Sequence, residues 1–372
     1  MSRAALISLV IIIAIALSLL VYFNYYLQSS PSQSEAGTQS PEIVVEDALG
    51  RKVSLKIPVE KIIVTDDEVA ELVQLLGAAD KVVGIEPSIK ERGYFPLMAD
   101  KVVIGSQFRG LNYELIAQLK PDLVILTDVG PITEIIDKLD EIGVNSIVIS
   151  IKPWRIVDTI ELLGKVLGKE DRARELLNWW NSKWSELEER IKPYVNKTVI
   201  TAYVGKLFKP TDTIPLRTQG RDAKWNYIFR KLGITNIVDK ILESRGNIDP
   251  EYLIQEDPDI IIIADYSDNY VGYLKENSSL VNELLVKILS DEKYTDLKAF
   301  REKRVFVIQY VMLGSFRSVV GAYYLAKIVY PEALKDIDPE DIHREYFEKW
   351  LGISYRGMWF YPRTWLGETI GG

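Results

Sequence analysis

The chain has 372 residues, a formal net charge of −8 and no cysteine. This length accommodates two domains with separate cores. The negative net charge disfavours nucleic acid as a partner. The lack of Cys excludes disulfides, thiolate metal sites and cysteine nucleophiles. The single histidine, His343, lies in the charged segment DIHREY and is expected at the surface. One imidazole cannot build a site for free zinc or manganese, so we predict no direct metal site and no cofactor.

The first 27 residues, MSRAALISLVIIIAIALSLLVYFNYYL, contain an apolar run long enough to cross a bilayer as a helix. Arg3 is the only charged side chain in them, aromatic residues end the run as at a membrane interface, and the next Lys or Arg is Arg51. A signal-peptide cleavage motif is not evident. This pattern predicts an uncleaved anchor over 1–27 in a single-pass protein of the cell membrane, with a cytoplasmic N-terminus and an extracellular body.

Residues 28–41, QSSPSQSEAGTQSP, are small, polar and interrupted by Pro. Such a composition cannot bury a core, so it predicts a flexible tether. Two Asn-X-Ser/Thr triplets further along, at Asn196 and Asn277, are candidate glycosylation sites on an extracellular body.

Residues 42–168 alternate short aliphatic runs with amphipathic helices. The runs are KIIVT, KVVGI, DLVIL and SIVIS, and the helical patterns include DDEVAELVQLLG and ITEIIDKLDEIG. Strands without polar alternation between such helices predict a parallel sheet covered on both faces. Thr65 and Glu68 are expected to form a capping box. We interpret the neighbouring Asp66 and Asp67 as acids favoured by the helix dipole rather than as metal ligands.

One long helix is predicted over 169–192, where Gly and Pro are absent and apolar residues recur every three or four positions. It would span roughly 35 Å at 1.5 Å per residue, long enough to bridge two lobes. Residues 193–353 then repeat the first plan with the strands TVITAYV, DIIIIAD and RVFVIQY. The predicted fold class is therefore α/β, with two Rossmann-like lobes on parallel sheets and a bridging helix. The remaining segment, 354–372, is an aromatic tail whose side chains look exposed.

Two stretches match as copies of one unit, LNYELIAQLKPDLVIL at 111–126 and IDPEYLIQEDPDIIII at 248–263. The matched pairs are Glu114 with Glu251, Gln118 with Gln255, Pro121 with Pro258, Asp122 with Asp259 and Asp128 with Asp265. Each Glu follows a helix-capping residue, Asn112 or Asp249. The match indicates a supersecondary unit duplicated between the lobes.

The repeat and the segments VVEDALGRKVSLKIPVEKIIV, ELVQLLGAADKVVGI, VFVIQYVMLGSFRSVVGAYYLAKIVYPE and YFEKWLG closely resemble one family. It is the class III solute-binding proteins of ABC importers for ferric siderophores, haem and cobalamin, and the resemblance covers about residues 42–352. It implies a shallow ligand cleft between the lobes, no enzymatic activity, and a transmembrane permease dimer with a cytoplasmic ATPase as partners. We expect a monomer that captures a metal chelate. A ferric siderophore is the first candidate ligand, and the alternatives are cobalamin, haem or an oxyanion such as molybdate or tungstate.

The cleft is expected at the loops that follow the carboxyl ends of the strands. Arg guanidinium groups pair with carboxylate, phosphate or catecholate oxygens, and aromatic rings cover an apolar chelate ring. By match of motifs, the candidate ligand contacts are Phe108, Arg109, Thr127, Asp128, Trp154, Arg155, Arg217, Arg221, Arg245, Tyr266, Tyr270, Tyr310 and Met312. This set predicts an anionic chelate.

The resemblance also implies a role for the repeat. In the family, an acidic residue on each lobe docks against basic sockets of the permease, and the matching residues are Glu114 and Glu251. The alternative is that both only favour the helix dipole. An enzyme is disfavoured, because a Gly-rich phosphate loop and a nucleophile elbow are not found and one His leaves little acid–base chemistry. A surface sensor on the same lobes is a further alternative, although retention of both glutamates favours transport.

Overall fold

The computed structural model describes residues 16–23, 41–195, 197 and 199–371, and the chain divides into two units, Met1–Pro41 and Glu42–Gly372. In the first unit a helix covers residues 16–23. Among the described residues, no helix has both the length and the apolar character needed to cross a membrane. This finding contradicts the predicted location as a single-pass protein of the cell membrane.

The other residues of the predicted anchor, and the predicted tether up to residue 40, lie outside the described residues.

The first lobe is built on a five-stranded sheet. Its strands are β3 (Ile62–Val64), β4 (Val82–Ile85), β5 (Val102–Val103), β8 (Leu123–Thr127) and β9 (Ser146–Ile149). Two small hairpins accompany it, β1 (Glu42–Glu46) with β2 (Lys52–Lys56) and β6 (Gly105–Ser106) with β7 (Gly110–Leu111). The helices are α1 (Asp67–Leu75), α2 (Ser88–Arg92), α3 (Tyr113–Leu119), α4 (Ile132–Glu141) and α5 (Ile156–Leu167). The strand order is β5-β4-β3-β8-β9, and all of these pairings are parallel.

The second lobe follows α6 (Glu170–Ile191) and has its own five-stranded sheet. Its strands are β10 (Ile200–Leu207), β12 (Ile234–Asn236), β14 (Ile260–Asp265), β15 (Val305–Gln309) and β16 (Phe360–Tyr361), and a separate hairpin pairs β11 (Arg217–Gln219) with β13 (Arg245–Asn247). The helices are α7 (Trp225–Leu232), α8 (Pro250–Glu256), α9 (Ser279–Leu289), α10 (Lys298–Arg301), α11 (Ser318–Val329) and α12 (Pro339–Glu345), which continues as a π-helix over Tyr346–Leu351. The sheet order is β12-β10-β14-β15-β16, parallel except for β16.

Both sheets are buried on both faces. Every residue of β8 and of β14 is buried, as expected for parallel strands covered by helices on either side. Each buried Ile or Val side chain contributes about 1.5–3 kcal/mol relative to an exposed one. The predicted class, two α/β lobes with parallel sheets, is confirmed.

Helix α6 contacts both lobes along its 22 residues, a rise of about 33 Å. Near its start it packs against α5, where a Cβ at Gly164 would lie 2.7 Å from the Cβ of Ala173, so the close approach requires glycine. At its middle the indole nitrogen of Trp180 donates to the carbonyl of Phe316 at 3.0 Å, and near its end Arg190 pairs with Asp336 at 2.9 Å. The helix therefore holds the two lobes together.

The aromatic tail packs into the second lobe. Strand β16 pairs Phe360 with Ile308 and Tyr361 with Val307 of β15, and Trp359 is 1 % exposed. The expectation of exposed tail aromatics is wrong, because β15 would otherwise leave an open sheet edge, and the tail covers that edge while burying its own rings.

His343 is fully buried, so its expected surface position is wrong. Its ring packs against Phe347, Tyr355 and Trp359, with centroid distances of 5.1, 5.2 and 4.9 Å. Burial, followed by the charge of Arg317, lowers the pKa of His343 well below its ordinary value. The flanking charged residues misled the prediction because on a helix they occupy faces other than that of His343.

Candidate ligand-binding cleft

The carboxyl ends of the strands of the two sheets meet at the boundary between the lobes. Glu68, in the helix that follows β3, accepts a hydrogen bond from Lys224 of the second lobe at 2.6 Å. Arg92 lies 2.6 Å from Asp67 of its own lobe and 2.6 Å from Asp268 of the other. Ligands of open α/β sheets bind outside these strand ends, so this boundary is the candidate cleft.

Asp66 caps α1 at the floor of the cleft. Its carboxylate accepts the backbone N–H of Glu68 at 2.8 Å, which replaces the capping box predicted for Thr65 and Glu68. The Thr65 hydroxyl instead lies 2.9 Å from the side-chain oxygen of Gln107. Burial, together with the Asp67 and Glu68 carboxylates, raises the pKa of Asp66 well above its ordinary value. The cap is thus Asp66 and not the Thr65 predicted from the sequence, while Asp67 pairs with Arg92.

A cluster of cations lies on the second lobe beside this floor. In the antiparallel hairpin of β11 and β13, Gln219 stands opposite Arg245 and two residues from Arg217, so these three side chains share one face of the hairpin. The ammonium of Lys206, at the end of β10, donates to the Gln219 oxygen at 2.9 Å. Burial, with the charges of Arg217, Lys224 and Arg245, lowers the pKa of Lys206 to about 8. These positive charges therefore lie close enough to repel one another.

Three members of the cluster have no carboxylate partner. Lys224 is paired with Glu68, whereas no carboxylate oxygen of the described residues lies within 4.0 Å of a side-chain nitrogen of Lys206, Arg217 or Arg245. The carboxylate of Asp222 accepts a hydrogen bond from Gln219 at 3.0 Å and forms no ion pair with these three cations, so the group keeps a net positive charge that attracts an anion. We name Lys206, Arg217 and Arg245 the cation cluster.

A row of stacked rings borders the cation cluster. Phe208 stacks on Tyr266 with centroids 4.8 Å apart, and Tyr266 stacks on Tyr310 at 4.4 Å. The guanidinium of Arg217 lies 4.9 Å from the centre of the Phe208 ring, and Lys206 lies 5.1 Å from that of Tyr266. These cation–π contacts orient the charges while leaving them without anionic partners.

The first lobe presents a different wall. Phe108, at the tip of the β6–β7 hairpin, is 55 % exposed, and Trp154 after β9 is 43 % exposed. Arg109 is exposed beside Phe108, whereas Arg155 is paired with Asp158 at 2.9 Å. This wall is mainly aromatic, with one exposed cation that lacks an ion pair in the described residues.

The remaining predicted contacts lie apart from the cation cluster. Thr127 and Met312 are fully buried and offer no exposed surface. Asp128 is held by Lys152 at 3.0 Å and by the Ser150 hydroxyl at 2.9 Å. Tyr270 lines a separate small cavity next to α9. Arg221 is exposed on the loop that follows β11.

Sequence reasoning missed Lys206, Phe208 and Trp225. Lys206 and Phe208 flank Leu207, the last residue of β10, so the strand-end rule that applies to Tyr266 and Tyr310 also selects them. The ring centre of Trp225 lies 5.6 Å from the ammonium of Lys206. Its sequence position on an amphipathic helix gave no sign of this contact.

The prediction of no direct metal site remains a prediction. Within the described part of the chain, no group of three or more His, Cys, Asp or Glu side chains is arranged to hold a metal ion. Of the two candidate glycosylation residues, Asn196 lies outside the described residues. Asn277 is exposed, and its side-chain oxygen accepts the backbone N–H of Ser279 at 2.7 Å.

The duplicated unit takes the same form in both lobes. Helices α3 and α8 have seven residues each, capped by Asn112 and by Asp249. Both end in a left-handed residue, Lys120 with φ 48° and Asp257 with φ 38°.

After each helix of the repeat, an Asp side chain accepts a hydrogen bond from the backbone at or next to the neighbouring strand. Asp122 accepts the backbone N–H of Lys61 at 2.8 Å, and Asp259 accepts that of Thr201 at 2.8 Å. Glu114 and Glu251 are exposed in the first turns of their helices. Both glutamates are therefore available to a partner.

Residues 62–310 match the model of the family described as "Periplasmic binding protein". The chain belongs to this family. Its members are the substrate-binding proteins of ABC importers, which bind small ligands and partner a permease and an ATPase; they are solute-binding proteins, not enzymes. The resemblance inferred from the sequence motifs is confirmed.

Two relatives and one solved structure illustrate the similarity. The molybdate-binding protein MolA of Haemophilus influenzae is 21% identical over 339 residues, 84% of this chain and 92% of the relative. A vitamin B12-binding protein of Vibrio vulnificus is 26% identical over 212 residues, 56% of this chain and 73% of the relative. The crystal structure of the TroA-like periplasmic binding protein FepB from Veillonella parvula superposes with a TM-score of 0.72 at 24% identity, covering 86% of this chain and 99% of that one. This last similarity shows the fold.

Proposed function

We propose that this substrate-binding protein captures an anionic metal chelate, of the ferric siderophore class, and delivers it as a monomer to its permease. The cation cluster carries the proposal, because Lys206, Arg217 and Arg245 have no carboxylate partner in the described residues. An anionic chelate would supply the missing negative charge. The chelator keeps the metal in its own oxygen ligands, so the protein needs no metal ligand of its own.

The stacked rings favour a chelate over a simple oxyanion. Molybdate, the ligand named for the MolA relative, would use cations but no aromatic surface. Phe208, Tyr266 and Tyr310 form a continuous stack next to the cations, which suits a ligand that has flat or apolar groups between its charges. Cobalamin, the ligand of the Vibrio relatives, carries little net negative charge and would leave the cation cluster unneutralised.

Haem is the second candidate. Its two propionates would suit the cations and its ring would suit the aromatic stack. An imidazole ligand for its iron is not available here, because His343 is the only histidine and is buried against the tail. A tyrosine would have to serve instead.

A ligand panel tests the proposal on the full chain. Melting temperatures are measured with ferric enterobactin (an anionic tris-catecholate), ferrioxamine B (a cationic tris-hydroxamate), cyanocobalamin, haemin and molybdate, because a ligand that binds the folded state raises the melting temperature. We expect the largest rise with ferric enterobactin and its loss in Arg217→Gln. The matched control is Arg230→Gln, an exposed arginine on α7. A larger rise with ferrioxamine B or with molybdate would contradict the proposal.

We also propose that Glu114 and Glu251 dock the two lobes onto the permease. The support is their exposure, their equivalent places in the duplicated unit, and the family's partnership with a permease. Neither glutamate forms an ion pair within the described residues, so each carboxylate is free to meet a basic socket.

A further inference from the structure

A second cavity lies away from the cleft. It has a volume of about 600 Å³ and is formed by the carboxyl end of α1, the start of α6 and the end of the π-helix. Helix α1 rises about 13 Å, and its amino end is at the floor of the cleft while its carboxyl end, at Leu76, lines this cavity. None of the cation cluster, the stacked rings or the predicted ligand contacts lines it. We name it the rear cavity.

The walls of the rear cavity are mostly aliphatic. They include Leu76, Ala79, Pro96, Leu97, Leu351 and Ile353. Leu97 is 62 % exposed, so water reaches an apolar surface there. A cavity of this size lies within the range of small-molecule sites, about 300–1,000 Å³. Its occupant should therefore have an apolar body.

Charge on the rear cavity is predominantly positive. Lys169, Arg172 and Lys349 line it together with the carboxylate of Asp80. Glu175 lies 3.6 Å from Arg172 and Glu345 lies 3.7 Å from Lys349 in partly exposed pairs, so Lys169 is the lining cation that has no ion pair within the described residues. Arg172 is fixed in place, since its Nε donates to the carbonyl of Leu75 at 3.1 Å and its Nη2 to the carbonyls of residues 349 and 350 at 3.2 Å. A positioned guanidinium is suited to bind a carboxylate.

The aromatic ring in the wall is already covered. Arg172 lies 4.5 Å and Lys349 4.8 Å from the centre of the Trp350 ring, so a ligand ring would have to displace a cation in order to stack on it. The open surface is aliphatic. This favours an alkyl chain over an aromatic body as the occupant.

We propose that the rear cavity binds a fatty carboxylate, with its alkyl chain on the aliphatic walls and its carboxylate at Lys169 and Arg172. The proposal is independent of the ligand of the cleft.

Calorimetric titration of the full chain with decanoate below its micelle concentration tests the proposal. Decylammonium tests the sign of the head group, and butyrate tests the need for the chain. We expect decanoate to bind at least tenfold more tightly than either. Equal binding of decylammonium, or no binding of decanoate, would overturn the proposal.

Matched variants locate the binding. Leu97→Asp and Lys169→Glu should each weaken decanoate binding at least tenfold. The control Leu280→Asp on α9 changes a leucine as exposed as Leu97, and the control Lys165→Glu on α5 makes the same change of charge one helical turn before Lys169. Both lie outside the rear cavity and should bind as the wild type does. Arg217→Gln, in the cleft, should also bind normally. Unchanged binding in Leu97→Asp and Lys169→Glu would place decanoate elsewhere on the chain and overturn the proposal.

Discussion

The two walls of the cleft are built on equivalent strand ends but carry different chemistry. On the first lobe, charged side chains are largely paired, as Asp128 is with Lys152 and Arg155 with Asp158. On the second lobe, Lys206 and Arg217 contact aromatic rings rather than carboxylates. A duplicated scaffold has therefore kept its backbone plan, while a group of neighbouring cations without ion pairs in the described residues lies on the second-lobe wall.

This difference separates two tasks. Both lobes share the capped helix with its exposed Glu. A symmetric partner such as a permease dimer would contact this shared feature. The features that differ, the cation cluster and the stacked rings, are those that a single asymmetric ligand would contact. The following predictions test this separation.

The largest effect is expected from reversing both shared glutamates. Glu114→Arg with Glu251→Arg should weaken association with the cognate permease about a hundredfold, because attraction to basic sockets becomes repulsion. The loss should shrink at high salt, where exposed charges are screened. Permease binding in nanodiscs measures it, and each single reversal should cause a comparable part of the loss.

Ligand affinity of the same double variant is the control. It should equal that of the wild type, because both glutamates lie outside the cleft. If permease binding is unchanged and ligand affinity falls, these residues do not dock the protein.

A smaller effect, on stability, is expected from removing Asp259 or Asp122, whose carboxylates accept hydrogen bonds at or next to the neighbouring strands of the two copies of the repeat. Asp259 accepts hydrogen bonds from the backbone and hydroxyl of Thr201 and from Lys298 at 2.6 Å, whereas Asp122 accepts two backbone N–H groups, those of Glu60 and Lys61. Asp259→Ala should therefore lower the free energy of unfolding by about 1–2 kcal/mol and Asp122→Ala by less. Urea unfolding at pH 7 measures both. An equal loss would show that the Lys298 contact is too exposed to contribute.

The cost of Asp259→Ala should depend on pH. Burial alone would raise the pKa of Asp259, but the hydrogen bonds from Lys298 and Thr201 outweigh it and lower the pKa. A carboxylate with a lowered folded-state pKa stabilises the fold above its ordinary pKa, and this stabilisation is lost as the pH falls through the lowered value. The gap between wild type and variant should therefore close in acid, and a gap that persisted there would contradict the linkage.

The smallest effect concerns the titration of Lys206, on the second-lobe wall of the cleft. Because the pKa of Lys206 is lowered to about 8, the free protein loses this charge as the pH rises from 7 to 9. Affinity for ferric enterobactin should fall by about tenfold over this range. Lys206→Arg, which stays charged, should remove most of the dependence. An identical pH profile for the two proteins would show that Lys206 does not meet the anion.

The fold was predictable because parallel strands buried on both faces appear as unbroken aliphatic runs. Strands β8 and β14 follow directly from DLVIL and DIIIIAD. The place of His343 was also encoded, since Tyr346 and Phe347 stand three and four residues after it on the same helical face, but the charged neighbours obscured this pattern. The edge pairing of the tail with β15 is a long-range contact, which local sequence does not specify.

The candidate site was only partly predictable. Strand ends indicated Tyr266 and Tyr310, and the arginines followed from the resemblance. The role of Lys206 depends on Gln219 and Trp225, which reach it from a hairpin and a helix elsewhere in the chain. For Lys206, such tertiary contacts and not its neighbours in sequence determine which groups surround its charge.

The central claim is that the second wall captures an anion, and one calorimetric comparison tests it directly. Ferric enterobactin is titrated into the wild type, into Arg217→Gln with Arg245→Gln, and into Arg109→Gln with Arg155→Gln, which removes the same number of charges from the first wall. We expect the second-lobe pair to weaken binding at least tenfold more than the first-lobe pair. An equal or greater loss from the first-lobe pair would contradict the assignment of anion capture to the second lobe.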